Sequence, residues 1–301
     1  MKKTLCALVL AVALPATLLA WENSPSCNII IPEVVWAAAT GGGTWTTEIQ
    51  ITDANSSTDG GAIVTAYFTS PGGGYRSVTI WTSPGWKTSA KWTNILAAMQ
   101  ALDPAFTYYG HSGALWLGTQ GSSYLISAVA RTYNGNYGKT FPGLQWTDSN
   151  TANIGRRMMI MNVIRSSEYR TFAGFFNAIA GEYSMTCRME IVDANWSQVG
   201  NSWDETFAPY EYKAFNIFTK AGITSGTYEN HWLFIDPQTS GSSGEGTKGL
   251  FCFGSIASNT TNDTYAIIAV QFGPWSSAGL LARPGKDGRS GRAAIAGVTF
   301  M

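Results

Sequence analysis

The sequence predicts an all-β chain: a signal peptide, two tandem β-sandwiches that are copies of one another, and a tail carrying one more strand. Three observations predict it. Of 301 residues 45% are hydrophobic and only 13% charged, with Lys+Arg and Asp+Glu at 19 each. A disordered chain would need few apolar residues and a large net charge. Gly (33) and Trp (12) are plentiful, which argues for short strands, many turns and aromatic cores. The same balance excludes a coiled coil, a charged linker and a basic nucleic-acid binder. The second observation is a succession of short Ile/Val/Tyr/Trp runs divided by turn clusters, and the third is their repetition in the same order.

Residues 1–20 read as a secretory signal: Lys2 and Lys3 form a positive start, Leu5 to Leu14 an apolar stretch, and Ala20 a small residue before the cut. Without Lys2 and Lys3 the chain turns slightly acidic. Beyond the signal no segment approaches the ~18 apolar residues of a membrane helix. The first domain is expected over 21–146, with strands at Glu48–Thr52, Ala62–Phe68, Ser77–Trp81, Ala114–Leu117 and Tyr124–Arg131. Ile95, Leu96, Met99 and Leu102 recur at helical spacing and predict a short helix over Asn94–Leu102. The joint falls in the polar segment between Gln145 and Gly155. The second domain, 155–272, has expected strands at Phe172–Phe176, Met185–Val192, Thr206–Phe215, Trp232–Ile235, Leu250–Ile256 and Tyr265–Phe272.

Three echoes relate the domains. Trp45–Asp53 and Tyr169–Asn177 share an aromatic, a Thr two places on, and an alternating stretch ended by Asp or Asn. Asn94-Ile95 and Asn216-Ile217 fall 49 and 47 residues after those aromatics. Ala128–Asn134 and Gly254–Thr260 supply the third.

These segments carry a family resemblance. Pro32-Glu-Val-Val35, the aromatic-Arg/Thr-Thr strand, Arg131–Asn134 with Tyr137-Gly138 and Pro142-Gly143, and the closing Asn259–Thr264 resemble paired β-sandwich proteins secreted by bacteria. The resemblance spans Ile31 to Phe272, and the tail from Gly273 to Met301 has no counterpart in it. It implies immunoglobulin-like domains without an assigned activity and a scaffold or adhesive role.

Catalytic signatures are sparse. His111 and His231 are the only histidines, and they look like matching positions of the two copies, which suggests a structural role. No His or Cys pair stands at zinc-ligand spacing. Asp53–Asp59 has oxygen donors at alternate positions, but Thr58 and Val64 stand where a calcium loop needs Gly and Glu. Ordinary turn chemistry explains it and Asp193–Ser197. Glu48, Asp204 and Glu205 are the carboxylates that could serve sugar cleavage, without a surrounding signature. No cofactor is expected.

Interaction is the better expectation. Trp86, Trp196 and Trp203 sit in turn contexts and are candidate platforms for sugar rings, whereas Trp45, Trp92, Trp116 and Trp232 lie in alternating segments and read as core. Cys187 and Cys252 are candidates for a disulfide in an oxidising compartment; the alternative is that both are small buried apolar side chains. After the basic, Gly-rich stretch Arg283–Arg292 comes the strand-prone Ala293–Met301, whose Ile295, Val298 and Phe300 could add to a sheet edge of the same or a neighbouring molecule. The expected product is a secreted or cell-surface, non-enzymatic structural or adhesive protein, a fibre subunit joined by strand addition. Its partners would be itself or other surface components, and the rival reading is a carbohydrate-binding module.

Overall fold

The computed structural model describes residues 24–39, 42–56, 60–146, 151–152, 156–178, 183–240, 249–260 and 264–274. The expected signal peptide, most of the expected joint, and Ile295, Val298 and Phe300 of the tail lie outside them. Among the described residues no helix is long and apolar enough to cross a membrane.

The chain is all-β, its ladders are antiparallel, and its sheets are consistent with β-sandwich packing. The first half runs β1 (Asn28–Ala38), β2 (Thr44–Asp53), β3 (Ile63–Thr69), β4 (Arg76–Thr82), β5 (Ser89–Trp92), α1 (Ile95–Leu102), β6 (His111–Thr119), β7 (Ile126–Asn134), β8 (Tyr137–Pro142) and β9 (Leu144–Gln145). The second runs β10 (Arg156–Arg165), β11 (Tyr169–Asn177), β12 (Met185–Val192), β13 (Gln198–Phe207), β14 (Tyr212–Asn216), α2 (Ile217–Lys220), β15 (Tyr228–Ser240), β16 (Leu250–Ser258), β17 (Thr264–Ile268) and β18 (Val270–Pro274). The order β4-β3-β6-β1-β9 recurs as β13-β12-β15-β10-β18, and β5-β2-β7-β8 recurs as β14-β11-β16-β17. The halves differ in one ladder. Trp36–Ala38 of β1 pair with Thr44–Thr46 of β2, joining the first half's strands into one nine-stranded sheet.

The sequence echoes have local causes. Each half's opening strand bulges at an equivalent place, between Ile31 and Val34 and between Ile160 and Val163, and β10 shifts register again between Val163 and Arg165. Pro32, which cannot complete a ladder, sits inside the first bulge, and Asn162 at φ +56 inside the second. The shared Thr clamps that bulged strand to the next. The Val35 amide donates to Thr47 Oγ1 (2.8 Å), whose hydroxyl turns back on the Val35 carbonyl (3.3 Å); the Ile164 amide and carbonyl do the same with Thr171 Oγ1 at 2.9 and 2.8 Å. Asn94 and Asn216 cap the two helices, accepting amide hydrogens of their first turns.

The residues that end β2 and β11 are buried latches. Asp53 accepts from the Asn55 and Ala62 amides at 2.9 and 3.0 Å. Burial would raise its pKa, but these bonds and one from the Ser83 hydroxyl hold it below the usual carboxylate value. Asn177 instead donates to the Tyr183, Phe207 and Ala208 carbonyls.

Each half has its own apolar core, and a third cluster joins them. Ile30, Phe141 and Leu144 of the first half meet Phe176, Tyr212, Phe251 and Phe253 of the second. Inside this seam lies an ion pair: Lys139 Nζ stands 2.8 Å from Glu33 Oε1 and donates to Ser255 Oγ at 3.0 Å. Tyr212 donates to Glu33 as well, and burial together with that carboxylate pushes its hydroxyl pKa well above 10. A row of rings, Trp146, Trp116, Tyr67, Tyr75 and Tyr210, also crosses the seam, each touching the next at 4.2 to 5.6 Å. Ala152, in the joint, exchanges two backbone hydrogen bonds with Leu250.

Several expectations need correction. The strand expected over Thr206–Phe215 is two, the end of β13 and β14, with a turn between them. Leu102 of the expected helix face is 56% exposed, and α2 is a second helix that a one-turn sequence signal could not show. The third echo joins the right strands two residues out of step, since Thr47 faces Thr132 while Thr171 faces Ile256. The histidines are offset by two as well: His111 faces Trp36, but His231 faces Val163, the counterpart of Val34.

Removing one member of a buried ion pair leaves the other without compensation, at a cost of about 3–5 kcal/mol. Lys139→Met should therefore cost roughly 3 kcal/mol in urea unfolding. The double variant Glu33→Gln/Lys139→Met should recover most of that loss.

Candidate functional site

The candidate tryptophans occupy three different environments. Trp86 is 47% exposed in a turn whose Gly85 and Lys87 have φ +136 and +59, with the Lys87 ammonium 4.0 Å above its ring. Trp196 is 37% exposed and closes the turn between β12 and β13. Asp193 Oδ1 accepts the Asn195 and Ser197 amides, each at 2.8 Å, which bends the chain there. Trp196 itself adopts φ +64, a left-handed backbone that costs a bulky residue about 1–2 kcal/mol. Its ring rests on Trp232 (5.0 Å) and Phe234 (5.6 Å), and that contact offsets the strain.

Two expectations about Trp exchange places. Trp203 is not an exposed platform: it packs half-buried on the second core, edge-on to Phe215. Trp232, expected in the core, lies outside it. Its neighbours on either side of the sheet explain this, because Leu233 points into the second core and successive side chains of a strand face opposite ways. The exposed ring is therefore Trp196, in the turn after β12, laid over half-buried Trp232 and buried Phe234 on the outer face of β15. The phase of alternation around Leu233 and Ile235 was the available signal.

The acid and base candidates act as struts. His111 stacks on Phe106 at 5.4 Å, and His231 Nδ1 lies 2.7 Å from the Glu229 carbonyl. Glu48 pairs with Lys91, and Asp204 with Arg188. Glu205 contacts both Lys213 (3.1 Å) and Lys220 (2.8 Å). Burial would raise the Glu205 pKa, but the two ammonium groups bring it below the usual value. Asp204 and Glu205 are consecutive on β13, so they point to opposite faces and cannot converge on one glycosidic bond. Asp53 spends both carboxylate oxygens on amides, and Asp193 Oδ1 takes both amides of its turn, so each does turn chemistry. Among the described residues no group of three or more His, Cys, Asp or Glu is placed to hold a metal ion.

The disulfide expected between Cys187 and Cys252 is not formed; both are free and buried in the second core. They lie on β12 and β16, in different sheets. Burial, reinforced by Asp236, raises the Cys187 pKa, and burial with Cys187 nearby raises that of Cys252.

Comparison of the chain with protein-family models, with curated proteins and with solved structures finds no match. Thiol chemistry offers a direct check on the site geometry, because alkylation needs an exposed thiolate. Iodoacetamide at neutral pH should modify Cys187 and Cys252 at least ~100-fold more slowly in the native protein than in urea, as read by peptide mass spectrometry. A native disulfide-linked peptide pair would contradict the structure.

Proposed function

We propose that the protein is an exported, non-enzymatic structural or adhesive element of the cell surface or extracellular space, built of two tandem immunoglobulin-like β-sandwich domains. The repeated strand order, fused through a buried seam, is the observation that carries this reading. The carboxylates weighed for catalysis are engaged as braces: Glu48 with Lys91, Glu205 with Lys213 and Lys220, Asp204 with Arg188. Such a unit transmits position rather than turning over a substrate. Assembly proceeds by strand addition of the C-terminal segment Ala293–Met301, through Ile295, Val298 and Phe300, to a neighbouring molecule. A head-to-tail contact of this kind does not close on itself and yields a filament. The purified protein should show filaments by negative-stain electron microscopy and concentration-dependent sedimentation, both lost when the chain ends at Pro274. Monomers of unchanged size for both chains would reject assembly.

One observation favours a second reading, carbohydrate binding: a strained, exposed Trp196 laid over Trp232 and Phe234. Ring faces of this kind meet the C–H faces of sugars. On that reading Trp196→Ala should cut retention on an insoluble polysaccharide by about tenfold, as expected for loss of ~1.4 kcal/mol. Trp86→Ala, in the other half, should leave it unchanged, and equal retention of all three proteins on every polysaccharide of a panel removes this reading.

A further inference from the structure

The two halves end one sheet with equivalent strands, β4 and β13, and guard them differently. An edge strand presents unpaired amides and carbonyls to any extended chain, and proteins protect such edges with charges, above all inward-pointing ones. On β13 the residue opposite Cys187 is Glu205, directed into its salt bridges with Lys213 and Lys220, and the adjacent Asp204 pairs with Arg188. On β4 the residue opposite Val64, the counterpart of Cys187, is Trp81. From Ser77 to Trp86 there is no ionisable residue at all. Val78, Ile80 and Trp81 pack against the first core yet stay partly exposed, and Ser77, Thr79 and Thr82 are exposed. Among the described residues the only ladder partner of β4 is β3.

We propose that the free edge of β4 is the acceptor for the C-terminal segment Ala293–Met301 of a second copy. This rests on the assembly reading above and names its docking site. The two segments suit each other chemically: Ala293–Met301 is uncharged and rich in Ile, Val, Thr and Phe, and it ends a stretch of chain that continues beyond β18 through residues 275–292. Backbone pairing supplies the affinity, and the apolar side chains of the added strand extend the exposed flank of Val78 and Ile80. The asymmetry sets direction. Of the two equivalent edges β4 is receptive and β13 is guarded, so the donor segment is directed to one half of its neighbour.

The test compares the purified protein with Ser77→Lys/Thr79→Lys, which places two charges on exposed positions of the acceptor edge, and with Thr206→Lys on β13. Circular dichroism and thermal melting check that each variant is folded. Sedimentation velocity should show assembly of the parent and of Thr206→Lys. The β4 double variant should need at least about tenfold more protein to reach the same average size, and a synthetic peptide of residues 293–301 should inhibit the parent in a saturable way. If truncation at Pro274 stops assembly while the β4 lysines do not, the acceptor lies elsewhere and this proposal falls although the assembly reading survives. If the parent stays monomeric and its β4 edge takes the peptide only after truncation, the tail occupies its own molecule and both readings fall. Monomers that never take the peptide overturn both as well.

Discussion

Each half depends on a single hydroxyl at the corner where its opening strand leaves one sheet and meets the other. Thr47 and Thr171 present, from a side chain, the donor and acceptor that a neighbouring backbone would present, and so satisfy Val35 and Ile164 just past the bulge. Both threonines are fully buried, where an unpaired amide or carbonyl would cost about 1–3 kcal/mol. In the first half Thr132 adds a third contact at 2.8 Å, and backbone pairing with β2 continues from there. In the second half Ile256 faces Thr171, and that hydroxyl network stops. One substitution on a partner strand thus accompanies the difference between a continuous sheet and two separate ones.

The seam follows another logic, because it belongs to one copy only. The positions equivalent to Glu33 and Lys139 are Asn162 and Tyr265, so the buried ion pair was not simply duplicated with the strands. Burying two charges is expensive, and apolar side chains of similar volume would stabilise the contact at least as well. What an ion pair supplies is discrimination. Lys139 reaches Glu33 and Ser255 at once only when the halves dock in one orientation, and the rings of Phe141 and Phe253 flank the ammonium at 5.5 and 5.8 Å.

Strand positions were legible wherever one face is buried and the other wet, as in Met185–Val192, which the structure reproduces to the residue. The opening strands β1 and β10 were not, because continuous apolar runs such as Ile29–Ile31 followed by a proline carry no period-two signal. The echo between the halves holds at Thr47 and Thr171 and at the asparagine caps, whose roles demand particular side chains. It slips by two residues at Ala128–Asn134, since an even shift keeps every side chain on its own face and costs the apolar pattern nothing. The Trp platform was half visible: Trp196 stood out in a turn, but its neighbours Trp232 and Phe234 could be assigned outward only once Leu233 was known to point inward. The bracing of Glu205 by two lysines from α2 and β14 depends on how the turn after β13 folds these elements back, which neither strand nor helix periodicity encodes.

The opening and closing strands of each half lie side by side, Ile29 against Gln145 and Arg156 against Pro274. The polypeptide therefore comes in and goes out of each half at one corner, as a cable does at a socket. Tension applied along the chain would peel the two-residue β9 from β1 before it loaded either core, so the weakest mechanical link is a short zipper beside the joint. Because Leu144 of β9 and the nearby Trp146 belong to the seam, opening that zipper would loosen the grip between the halves with it.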